Sequence, residues 1–100
     1  MLSVLEQKEV VINGKLFVIE AMGATEGLEF LTKIVEGADA KLIRDTILKT
    51  VIYEGSKRDV KWFDRFFSRK YRDVQTLFDE IVEFNLGENP KDEGDTSEAV

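Results

Sequence analysis

The apolar positions keep one period near the start of the chain and another over the rest of it. From Lys8 to Ile12 and from Lys15 to Glu20 the residues are rich in Val, Ile and Phe, and Asn13-Gly14 stands between the two runs. Asn and Gly tolerate positive φ at both central positions of a type I′ turn, so the pattern predicts a β-hairpin. Val11, Lys15, Phe17 and Ile19 alternate imperfectly, because their neighbours are also apolar. Both faces of the ribbon are therefore expected to be partly covered, one by helices and one by another chain.

Beyond Ala24 the spacing becomes helical. Thr25 is the expected N-cap of a first helix, with Glu26 and Glu29 near its positive end. Leu28, Leu31, Ile34 and Val35 form its stripe, Phe30 sits on a flank, and Gly37 ends it. Asp39 caps a second helix carrying Leu42, Ile43, Ile47, Leu48, Val51 and Ile52, broken by Gly55 and Ser56. Asp59 caps a third, with Val60, Phe63 and Phe67 on one side and Trp62 and Phe66 on the next. A break at Ser68 to Lys70 leads to a fourth helix from about Tyr71 to Leu86, with a stripe of Val74, Leu77, Phe78, Ile81, Val82 and Phe84 or Asn85, and Gly87 as terminator. Residues 88–100 have almost nothing to bury and predict a disordered tail. The expectation is one α+β domain over residues 1–87, an N-terminal β-hairpin followed by a mainly α-helical bundle of about four helices, with an acidic C-terminal tail over 88–100.

Charge sharpens this division. The net charge is -6, but the tail sets Glu88, Asp92, Glu93, Asp95 and Glu98 against Lys91 alone and so supplies -4 of it. The nearly balanced body argues against general nucleic-acid binding, which uses a basic footprint. No run approaches the roughly 20 apolar residues of a membrane span, and no basic stretch precedes an apolar one at the start, so no secretory leader is expected.

The chain has no His and no Cys. That removes disulfides, Cys-based zinc sites and the usual proton-transfer side chain. Asp79-Glu80 with Glu83, and Glu26 with Glu29, share helix faces and read as solvated surface. No loop has the oxygen-ligand spacing of a hard-cation site, and no glycine run forms a phosphate loop. No catalytic, metal or cofactor-binding residue is assigned, and an enzyme is not expected.

Residues 57–72 are the candidate site. Seven basic residues stand there against Asp59 and Asp64, a local balance of +5, interleaved with Trp62, Phe63, Phe66, Phe67 and Tyr71. Two faces of one short helix cannot both enter one small core, so at least one of Trp62, Phe66 and Tyr71 should reach the surface. Aromatics and Arg are common interface anchors. Trp62, Phe63, Arg65, Phe66, Phe67, Arg69 and Tyr71 are the candidate partner-binding residues. The competing readings are aromatics as core beneath a solvated cationic face, and cations with stacking rings that hold a nucleic-acid single strand.

The order of motifs resembles a family. Val11-Ile12-Asn13-Gly14-Lys15-Leu16-Phe17-Val18-Ile19 followed by Ala24-Thr25-Glu26-Gly27-Leu28-Glu29-Phe30-Leu31, then Trp62-Phe63-Asp64-Arg65-Phe66-Phe67-Ser68, Tyr71-Arg72-Asp73-Val74 and Val82-Glu83-Phe84-Asn85-Leu86-Gly87, is similar to the small tail assembly chaperones of long-tailed bacteriophages and prophages. Ser68-Arg69-Lys70 is more basic than that pattern. The resemblance implies a non-enzymatic protein of the bacterial host cytoplasm that binds the tape measure protein, helps tail tube protein assemble around it, and self-associates. It carries over no catalytic residue. The alternatives are a small adaptor or regulatory protein that binds one folded partner, and the single-strand nucleic-acid binder.

Overall fold

The computed structural model describes residues 6–87. The expected tail disorder concerns residues outside that range. Strand β1 (Gln7–Ile12) pairs antiparallel with β2 (Lys15–Glu20) in the register Val10 to Phe17 and Val11 to Leu16. Asn13 and Gly14 take φ of 52° and 78°, which places both turn residues in the left-handed region the sequence predicts. Helices α1 (Ala24–Glu36) and α2 (Ala40–Thr50) follow, then β3 (Val51–Tyr53), β4 (Ser56–Lys57), α3 (Val60–Phe66) and α4 (Tyr71–Leu86). The strands form one antiparallel sheet in the order β1-β2-β3-β4.

The hairpin and the four helices lie where the sequence places them. Two details differ. Val51 and Ile52 continue the helical spacing of α2, yet they lie in β3, which pairs with β2 through Ile19–Val51 and Val18–Ile52. Glu54 and Gly55, at φ of 52° and 87°, form a second hairpin turn rather than a helix end. Arg58 holds that turn by donating from Nε and Nη2 to the Tyr53 carbonyl, at 3.1 and 2.8 Å. The cap of α1 is Gly23 and makes no side-chain bond, so Thr25 lies inside the helix. Asp39 and Asp59 cap as expected: each Oδ1 accepts a backbone N–H, from Leu42 at 2.8 Å and from Trp62 at 2.9 Å.

α4 is the spine. It crosses the inner sheet face antiparallel to β1 and buries Leu77, Phe78, Ile81 and Val82 against Val10, Ile12, Phe17 and Ile19. Full burial of such side chains stabilises by about 1.5–3 kcal/mol each, and Phe17, Ile19, Ile47, Leu77 and Ile81 are the most enclosed. Polar contacts pin the N-terminal hairpin and its connector along the same helix. Asn13 Nδ2 donates to Asp73 Oδ1 at 2.7 Å, Lys8 Nζ meets Glu80 Oε1 at 3.0 Å, and the Met22 backbone N–H donates to Asn85 Oδ1 at 2.6 Å. Asn85 in turn donates from Nδ2 to the Ile81 carbonyl at 3.0 Å, so both ends of its amide are used.

Candidate partner-binding surface

α3 is short because its sequence gives it a start and a stop. The Asp59 carboxylate fixes the first turn. After Phe66 the chain leaves the helix, and Arg69 takes φ of 65°, a left-handed position that no α-helix accommodates. Seven residues offer little length, so ring contacts hold α3 to the sheet. Trp62 stacks on Phe66 at 4.8 Å between centroids, Phe66 lies 4.9 Å from Tyr53, and Phe67 packs 6.2 Å from Phe17. Phe63 closes on Phe67 at 5.2 Å. Such pairs add roughly 0.5–1.5 kcal/mol each beyond the area they bury.

The seven candidate residues divide into three groups. Phe67 is buried, while Trp62, Phe63 and Phe66 are half-buried. Arg65 and Arg69 are exposed, and Tyr71 is 83% exposed, so one of the three aromatics expected at the surface stands fully there. Phe63, Phe67, Arg69 and Tyr71 come together with Ile43, Ala40 and Val74 around an open groove of about 490 Å³ between α2, α3 and α4. Trp62 and Phe66 face the other way, toward Tyr53 and Phe17. Arg65 lines neither the groove nor the ring cluster.

Arg69 and Tyr71 also border a second, basic cleft of about 680 Å³, completed by Asn13, Lys15, Lys70, Arg72 and Asp73. The Lys15 and Lys70 ammonium groups lie over the Phe66 ring at 5.8 and 5.2 Å. Both are cation–π distances, so one ring holds two cations at the mouth of the cleft. An apolar groove and a cationic cleft sharing one wall suit a segment with one greasy and one acidic face.

Two further apolar surfaces lie outside the seven candidate residues, and of these the sequence anticipates the sheet face but not the one on α1. On α1 the inward residue is Phe30, set edge-on to Phe78 at 5.9 Å, with Ile34 partly covered behind it. Of the four residues of the expected stripe, Ile34 alone turns inward, and the other three point outward: Leu28 is 66%, Leu31 36% and Val35 75% exposed. At 3.6 residues per turn the Leu28-Leu31-Val35 row lies about 110° from the Phe30-Ile34 row, so the apolar arc of α1 is wider than the domain covers. The second surface is the outer sheet face, where Val11 and Leu16 stand opposite each other at 67% and 47% exposure beside half-buried Val18 and Ile52.

The chain matches no family model, no curated protein and no solved structure. Function therefore rests on the residues themselves. Among the described residues no group of three or more His, Cys, Asp or Glu is placed to hold a metal ion, and no helix is long and apolar enough to cross a membrane.

Proposed function

We propose that this protein is a non-enzymatic tail assembly chaperone, working in the cytoplasm of a bacterial host, that binds the tape measure protein and supports tail tube assembly. The observation that carries the reading is the Leu28-Leu31-Val35 row, apolar, helically spaced and left in solvent by the fold. A row spaced in threes and fours fits beside another helix that carries a matching row. A tape measure protein is a long helical client with many such rows. The groove between α2, α3 and α4, with Phe63, Phe67 and Val74 in its walls, offers a second place for apolar side chains, and the exposed Tyr71 stands at its rim. The outer sheet face with Val11 and Leu16 gives a surface for self-association.

Holding a client in this way needs no reacting group. It needs apolar area that is less costly to cover than to expose, on a fold stable enough not to collapse onto it. Co-expression with the tape measure protein of the same gene neighbourhood should raise that protein's soluble fraction and co-purify with it. Replacing Leu28 and Val35 by Asp should abolish both effects while the far-UV circular dichroism stays unchanged. A tape measure protein equally insoluble with and without the chain, and absent from its purified fractions, would refute the reading.

A further inference from the structure

The basic cleft holds charge that the folded domain leaves uncompensated. Lys15, Arg69, Lys70 and Arg72 converge on it, and no carboxylate among the described residues lies within ion-pair distance of any of them. The acid in its lining, Asp73, spends Oδ1 on the Asn13 side chain. Lys15 and Lys70 lie 5.8 and 5.2 Å from the Phe66 ring centre, and several like charges lining one cleft favour a counter-charge there.

The chain carries such a counter-charge just past α4. Glu88, Asp92, Glu93, Asp95 and Glu98 follow Gly87 with Lys91 as the one opposing residue. The cleft lies at the N-terminal end of α4 and this segment leaves from the C-terminal end. A 16-residue helix is about 24 Å long at 1.5 Å per residue. An extended chain covers about 3.3 Å per residue, so Asp95 reaches roughly 26 Å from Gly87 and Glu98 roughly 36 Å. Glu88 cannot reach the cleft of its own chain, and Asp95 and Glu98 can.

We propose that the acidic segment folds back along α4 and that the Asp95 and Glu98 carboxylates dock in the Lys15-Arg69-Lys70-Arg72 cleft of the same chain. The linkage makes the contact intramolecular, so weak surface ion pairs are assisted by a high effective concentration. Docking occupies the cleft that an acidic face of a partner would use, and the segment acts as a built-in competitor displaced by a more acidic ligand. The inference is independent of the identity of any client.

The absence of native cysteine allows a direct test on the full chain. A nitroxide on Ser97→Cys should at least halve the amide signals of Lys15 and of residues 69–73 in about 20 mM salt, and the signals should recover in about 500 mM salt, where the Debye length falls to a few ångströms. The same recovery is expected when Asp95→Asn and Glu98→Gln are added to the labelled chain, or when Arg69→Gln and Arg72→Gln are. Equal signals with and without the acidic pair, or broadening that high salt leaves in place, would overturn the proposal. A mixture of labelled chain without ¹⁵N and unlabelled ¹⁵N chain separates the two sources. Broadening of full strength in that mixture would assign the segment to a second copy and overturn the same-chain docking.

Discussion

Helices α1 and α3 make opposite use of apolar residues. α3 has seven residues and four aromatic side chains in or just after it, and buries none inside the helix itself, yet every ring is at least half covered by Tyr53, Phe17 or a neighbouring ring. α1 has thirteen residues and ordinary aliphatic content, buries only Phe30, and leaves Leu28, Leu31 and Val35 in water. The greasier segment is the better packed one. Large flat rings cover one another, so a few residues can build a local cluster. Branched aliphatics on a lone helix face have only what the domain brings to them, and here it brings α4 to one side. The density of apolar residues in a segment is thus a poor guide to where apolar surface remains.

The sharpest way to break that comparison is at the ring cluster. Phe17 is 1% exposed and touches Tyr53, Phe66 and Phe67. Phe17→Ala should cost about 3–5 kcal/mol, read as a fall in the urea midpoint, whereas Tyr71→Ala should stay within about 0.5 kcal/mol. If both cost the same, α3 would not be held by its rings. Next comes α1. Phe30→Ala should cost about 3 kcal/mol and Leu28→Ala less than about 0.5 kcal/mol. A large loss at Leu28 would mean the row is covered in solution, and its dependence on protein concentration would show whether a second copy does the covering.

Much of this fold is legible in the sequence for local reasons. Asn13-Gly14 declares its turn, Asp39 and Asp59 declare their caps, and Gly37 and Gly87 stop their helices with φ of 117° and 87°. What escapes is whatever depends on neighbours. The chain passes from Thr50 in α2 to Val51 in β3 with no intervening breaker, so strand residues extend a helical stripe without a signal. The turn that follows has Glu54 at φ 52° where Asn or Asp would announce it. On α1 the period gives the spacing of the apolar row but not which of two adjacent rows faces inward, because that choice belongs to Phe78 on α4. The groove is half-legible for the same reason: Phe63, Phe67 and Tyr71 are conspicuous, while Ile43 and Val74 join them only through packing.

A smaller effect tests how the hairpin connector leading into α1 is anchored. Asn85 accepts from the Met22 N–H and donates to the Ile81 carbonyl, both partly buried. Asn85→Ala leaves the Met22 N–H without its acceptor, while the Ile81 carbonyl keeps its helical bond within α4, and should cost about 1–2 kcal/mol. Amide exchange should then quicken at Met22 and through the first turn of α1, while α3 keeps its protection. Equal quickening in α3 would show the two helices opening as one unit.

The smallest effect lies on α2, which touches both helices. The Asp45 carboxylate sits 2.9 Å from Arg44 Nη2 and 3.2 Å from Lys41 Nζ. The hydrogen bond from Arg44 first, and that from Lys41 next, holds its pKa below the ordinary 3.8. In the unfolded chain those partners disperse and the carboxylate binds its proton more readily. The stabilisation is therefore complete above the unfolded pKa and is lost as pH falls through the lower folded one. The group is solvent-exposed, so screening keeps the effect slight. Wild type and Asp45→Asn should differ slightly in urea midpoint at pH 7, and the gap should close in the acid range below the ordinary carboxylate pKa. A gap that stays constant from neutral to acid pH would assign the difference to packing or helix propensity, and would leave α2 supporting α1 and α3 through its apolar face alone.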